Sequence, residues 1–125
     1  MVSLSAVGQR NSNAEEKCFR LDSHAEARTC LEASEKESAV LLGRAEVAFR
    51  SALTQWDEVP QIRDQALAAF DDSIVAFRHY RKTQCEVQAS LAAGGNSAND
   101  RRLLCLIELN MERTSQLEIA ENSLE

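Results

Sequence analysis

The sequence predicts an all-α fold, and three observations carry that prediction. One proline and four glycines among 125 residues leave room for long uninterrupted helices. No stretch alternates apolar and polar residues over strand length, whereas Ala, Leu, Glu, Arg and Gln dominate the long segments. Apolar side chains recur instead at three-and-four spacing, the mark of one buried helical face. The expected architecture is a small antiparallel bundle of two long helices, one medium helix and a short N-terminal helix, in a chain that fits one domain.

Residues 1–12 are small, polar and aperiodic and are expected to form a tail, followed by a single domain over 13–120 and a frayed end over 121–125. Ser12 with Glu15, and Asn13 with Glu16, have capping-box spacing and open a short helix carrying Cys18 and Phe19. Leu21, Asp22 and Ser23 break it. Ser23 with Glu26 then starts a long helix to about Asp57, with the apolar stripe Leu41, Leu42, Ala45, Ala48, Phe49, Ala52 and Trp56.

Pro60 suits the first turn of a helix and opens the next one. Its stripe of Ile62, Ala66, Phe70, Ile74 and Phe77, extended by Tyr80 and Val87, runs to about Ala93. Gly94, Gly95 and Asn96 form a turn, and Ser97 with Asp100 offers the following cap. The last helix carries Leu103, Leu106, Ile107, Leu109, Met111 and Leu117 and frays after Ala120.

Cys85 lies ten residues before Gly95 and Cys105 ten after it. If both arms are helical and antiparallel, equal offsets bring the thiols level, and small Ala89, Ser90 and Ala92 let the backbones approach. Cys18 and Cys30 flank the break at Leu21–Glu26 in a similar way. The pairing Cys18 with Cys30 and Cys85 with Cys105 is the expected one of three possible connectivities, and it implies an oxidising compartment. Buried thiols are the alternative for the same count.

A formal charge of −6 disfavours a nucleic-acid partner, which needs clustered cations, and favours association with a basic protein. No apolar run reaches membrane-span length. The opening MVSLSAVGQRNSN lacks the basic and apolar regions of a signal peptide, so an exported form is expected to have had its signal removed.

Motifs for chemistry are sparse. His24 and His79 belong to no HExxH or Glu-x-x-His pattern, and no CxxC occurs, so neither a metal nor another cofactor is expected. Asp71 and Asp72 point about 100° apart on a helix and read as solvated surface. No GxSxG occurs, and Gly94-Gly95 lacks the lysine of a phosphate loop. Enzymatic activity is not expected. The basic cluster Arg78, His79, Arg81 and Lys82 reads as a solvated face, and Arg81 and Arg113 as hydrogen-bonding helix ends or carboxylates. Trp56 is expected to close the end of the core, with a protruding contact of Trp56, Asp57, Glu58 and Val59 as the rival reading.

Phe77, Arg81 and Cys85 at steps of four, then Gly94-Gly95-Asn96-Ser97, then Cys105, Leu109, Arg113 and Leu117, resemble the second half of the lysozyme inhibitor LprI-type domain. Cys18 and Cys30 extend the likeness. Phe77 stands where that family usually has Trp and Ile74 where Gln is common. After the second cysteine, Ser38 to Ala45 keeps only Leu41 of the family's Asp-x-x-Leu-Asn-x-x-Tyr. The resemblance implies a periplasmic or secreted helical protein, sometimes lipid-anchored as a precursor, that blocks a peptidoglycan hydrolase. Related domains look like immunity proteins against cell-wall-degrading toxins. A non-inhibitory envelope interaction module is the alternative. Asp57 and Glu58, with Asn96, Asn99 and Asp100 in the loop after Gly94, are the candidate partner-facing residues.

Overall fold

A computed structural model describes residues 14–125, so the expected tail and the caps at Ser12 and Asn13 lie outside the described residues. Four helices follow one another: α1 (14–19), α2 (His24–Thr54), α3 (Pro60–Ser90) and α4 (Ala98–Asn122). No strand occurs among the described residues. Ser23 caps α2 as expected, its Oγ accepting from the Glu26 backbone N–H at 3.1 Å.

The chain runs up α2, down α3 and up α4, so α2 and α4 are parallel although each neighbour in sequence is antiparallel. Their register is a constant offset of 72 residues, seen where Asn110 meets Ser38 and again where Asp100 meets Arg28. Helix α4 packs along both long helices, while α2 and α3 touch chiefly near their connecting hairpin. There Phe49 meets Phe70 edge to face, with centroids 4.8 Å apart, and Arg50 forks onto Asp71 through two 3.1 Å hydrogen bonds.

Two apolar clusters result. Cys18, Leu31, Leu103 and Ile107 form one near the start of α2, with Ala14 of α1 packed against it. Leu42, Leu53, Phe70 and Leu117 form the other toward the hairpin, and Trp56 packs there, closing the end of the core. Several expected stripe positions are outside it: Ile62, Tyr80 and Val87 are about half exposed, and Ala48 is exposed. Helix α3 rests mainly on α4, so only a narrow line of its residues is covered, and of these Phe70, Cys85 and Ala89 are buried.

Helix ends differ from expectation in four places. Helix α2 stops at Thr54 rather than Asp57, because Val59 must be extended (φ −61°, ψ 144°) to precede Pro60 and the turn needs the intervening residues. Helix α3 stops at Ser90 rather than Ala93, where the backbone turns left-handed at Ala93 (φ 51°) and Gly94 (φ 81°). Gly95 is small for another reason: a β-carbon there would lie 3.0 Å from the Ala92 carbonyl oxygen, which accepts the Gly95 N–H. Ser97 occupies the N-cap of α4 but makes no side-chain cap hydrogen bond. The C-terminus is helical to Asn122, past the expected fraying at Ala120, and Leu124 packs on the hairpin-side cluster.

All four cysteines are bonded, Cys18 to Cys30 and Cys85 to Cys105, each pair with Cα atoms 5.4 Å apart. The first ties α1 to α2 and the second ties α3 to α4. Replacing Cys85 and Cys105 together by serine is expected to cost about 3 kcal/mol of stability by the loop-entropy relation, read as a lower urea midpoint. An unchanged midpoint would mean the helices hold their register without the bond.

Candidate functional site

Three residues of the sequence motif, Phe77, Arg81 and Arg113, converge on one layer of the bundle. Phe77, Arg81 and Cys85 lie at four-residue steps along α3, and Arg113 reaches them from α4. The Arg81 and Arg113 guanidinium carbons sit 5.5 and 5.6 Å from the centre of the Phe77 ring, within cation–π range. Arg81 Nη1 donates to Asn110 Oδ1 at 2.7 Å, Asn110 Nδ2 donates to Ser38 Oγ at 3.0 Å, and Ser38 Oγ donates to the Glu35 carbonyl at 2.7 Å. Three helices are thus joined by one chain of hydrogen bonds. Asn110 is fully buried, and Thr114 beside it donates to the Asn110 carbonyl at 2.8 Å.

Arg113 Nη2 donates to Ser73 Oγ at 2.7 Å, and Ser73 Oγ in turn donates to the Phe70 carbonyl at 2.6 Å. The expectation that both arginines bind helix ends or carboxylates is therefore corrected: they take a side-chain amide and a hydroxyl. A guanidinium suits this layer because it stays charged, donates in a plane and stacks on an aromatic ring. For the same reason it does not exchange protons, so the layer is built for holding rather than for acid–base chemistry.

The partner-facing candidates do not come together. Asp57 is exposed and Glu58 half-buried in the α2–α3 hairpin, while Asn96 is exposed and Asn99 half-buried at the α3–α4 turn. Helix α3, with 31 residues, separates these ends by about 46 Å. Asp100 is corrected outright: its side chain is 6% exposed, with Arg28 Nε 3.7 Å and His24 Nε2 3.5 Å away. It points inward because the first turn of α4 docks on the first turns of α2, where its charge is matched. A carboxylate in the first turn also complements the α4 dipole.

Ser38, Asn110, Thr114 and Ser73 were missed in the sequence reading. The signal for two of them was present: Asn110 and Thr114 continue the spacing of Leu103 and Ile107 toward Leu117, so they sit on the buried face of α4 as polar interruptions.

Elsewhere Arg50 pairs with Asp71 and Arg102 with Glu86, both at the surface. The hydrogen-bonding guanidinium holds each carboxyl below the usual carboxylate range. These ties therefore favour the fold above the unfolded carboxylate range and fade as pH falls through the lowered values, although exposed pairs contribute little. Among the described residues no three His, Cys, Asp or Glu side chains are placed to hold a metal ion.

The described residues thus form a disulfide-stapled three-helix core with a short helix tied to α2, built around an arginine–aromatic layer. The family model for lysozyme inhibitor LprI matches residues 14–117, most of the chain, and the protein belongs to that family. The family is one of inhibitors rather than enzymes. No curated protein and no solved structure matches the chain. The two disulfides and the family together point to a location outside the cytoplasm, and no helix among the described residues is long and apolar enough to cross a membrane.

Asn110→Ala is expected to lower stability by about 2–3 kcal/mol, since Arg81 and Ser38 both lose a buried partner. Chemical denaturation checks it. A loss no larger than that of an exposed substitution such as Asn122→Ala would show that the layer does not hold the helices together.

Proposed function

We propose that this protein is a periplasmic inhibitor that docks on a lysozyme-type peptidoglycan hydrolase and occludes its substrate cleft, with residues 13–120 as the docking unit. The observation that carries this reading is the family match along α1 to α4, which includes both disulfides and the Phe77–Arg81–Arg113 layer.

The physical route is preorganisation. Binding costs entropy in proportion to what must be ordered, and helices already fixed by two disulfides and a buried hydrogen-bond chain have little left to order. An acidic surface adds attraction for a basic enzyme and speeds its encounter. Because the hairpin at Asp57 and Glu58 and the turn at Asn96 and Asn99 are at opposite ends, one compact partner uses one end. The same contact would protect a cell from a cell-wall-degrading toxin delivered by a neighbour.

Clearing of a cell-wall suspension by a basic c-type lysozyme, and by exported hydrolases encoded beside this gene, tests the reading. Stoichiometric protein is expected to slow clearing by at least one of them, and protein reduced and alkylated at its cysteines is expected to lose that effect. Full turnover by every enzyme at large inhibitor excess would remove the proposal.

A further inference from the structure

The end of the molecule near the α3–α4 turn opens into a groove of about 440 Å³ along the seam of those helices. Two ridges at four-residue spacing form its walls: Tyr80, Gln84 and Gln88 on α3, and Leu104, Glu108 and Glu112 on α4. Cys105 lies between them, where its bond to Cys85 draws the backbones together and leaves the flanking side chains standing as walls. Glu15 of α1 also lines the space, and Arg101 is the one cation that does.

The charges in this groove are not internally matched. Glu16, Asp71, Glu86 and Asp100 each face an arginine, but Glu15, Glu108 and Glu112 have no ion-pair partner among the described residues. Beside them Tyr80 is 51% exposed. An open phenol ring, two primary amides and uncompensated carboxylates, with the apolar side chains of Leu104 and Leu109 lining the same space, match one kind of group. A guanidinium or ammonium on an aliphatic stem stacks on the ring, hydrogen-bonds the carboxylates and rests its methylenes on the apolar side chains.

We infer that this groove is the docking surface for a basic partner protein, which inserts an arginine or lysine side chain between Tyr80 and the Glu108–Glu112 ridge. The partner's class, a hydrolase, rests on the function proposed above, whereas the groove's chemistry can be tested apart from it. The groove also distinguishes the two ends of the molecule: Gln88 and Arg101 are its lining residues nearest the α3–α4 turn, and the Asp57–Glu58 hairpin lies outside it.

Two double variants separate a local site from a general field. Glu108→Lys with Glu112→Lys changes the groove, and Glu118→Lys with Glu121→Lys changes another face of α4 at matching exposure; both bring the formal charge from −6 to −2. A capped hexa-arginine peptide, followed by amide chemical shifts, and a basic c-type lysozyme, followed by calorimetry, are the probes. The peptide is expected to shift amides over 80–88 and 104–112. The groove variant is expected to lose about tenfold or more in affinity for both probes, and the control variant no more than about twofold. Equal losses in the two variants, or shifts mapping to the hairpin, would overturn the inference. Peptide binding with the expected variant pattern but no affinity for the lysozyme would uphold the groove and remove the lysozyme as its partner.

Discussion

The buried amide of Asn110 is the contact on which the arrangement of the other elements depends. Apolar surfaces attract without direction, and α2 and α4 could slide past one another by a helical turn with little change in area covered. An amide at the centre of the interface cannot slide, because moving it takes a hydrogen bond from Arg81 and from Ser38 and leaves the fully buried amide of Asn110 itself unpaired. This polar layer between two apolar clusters fixes the parallel register of α2 and α4, and through Arg81 it fixes α3 as well. The disulfides then act at the margins, one pinning α1 to α2 and the other locking α3 to α4.

That arrangement divides the chain into an inside and an outside with separate work. The motif residues Phe77, Arg81, Cys85, Cys105, Arg113 and Leu117 face inward and build the frame. Gly94 and Gly95 reverse the chain, one through a left-handed backbone and one through lack of room for a β-carbon. Whatever a partner touches must come from the residues between these positions, which face solvent. Members of one family can therefore keep a frame while changing the surface, and a match to the frame identifies the scaffold more firmly than its target.

Much of the fold was legible because it is local. Capping at Ser23, helix initiation at Pro60, the Gly-Gly turn and the equal cysteine offsets are short-range features, and they placed four helices and both disulfides. What escaped was long-range. The pairing of Asn110 with Ser38 spans 72 residues, and no local pattern announces it beyond a polar residue on an apolar face. Asp100 misled for a related reason: a carboxylate in the first turn of a helix reads as surface, and only the docking of α4 on Arg28 turned it inward. Tyr80 and Val87 continued an apolar stripe that α3, resting chiefly on one neighbour, does not bury. The five residues expected to face a partner fall at opposite ends of the bundle or inside it, because nothing local in the sequence says which turns the packing brings together.

The central claim is a frame that stays closed while an outer face does the binding. Amide hydrogen exchange of the protein alone and mixed with a basic lysozyme addresses it directly. New protection confined to 80–88 and 104–112, with exchange around Ser38 and Asn110 unchanged and slow, is the expected result. Faster exchange at Ser38 and Asn110 in the mixture would contradict it, because the frame would then be opening to bind.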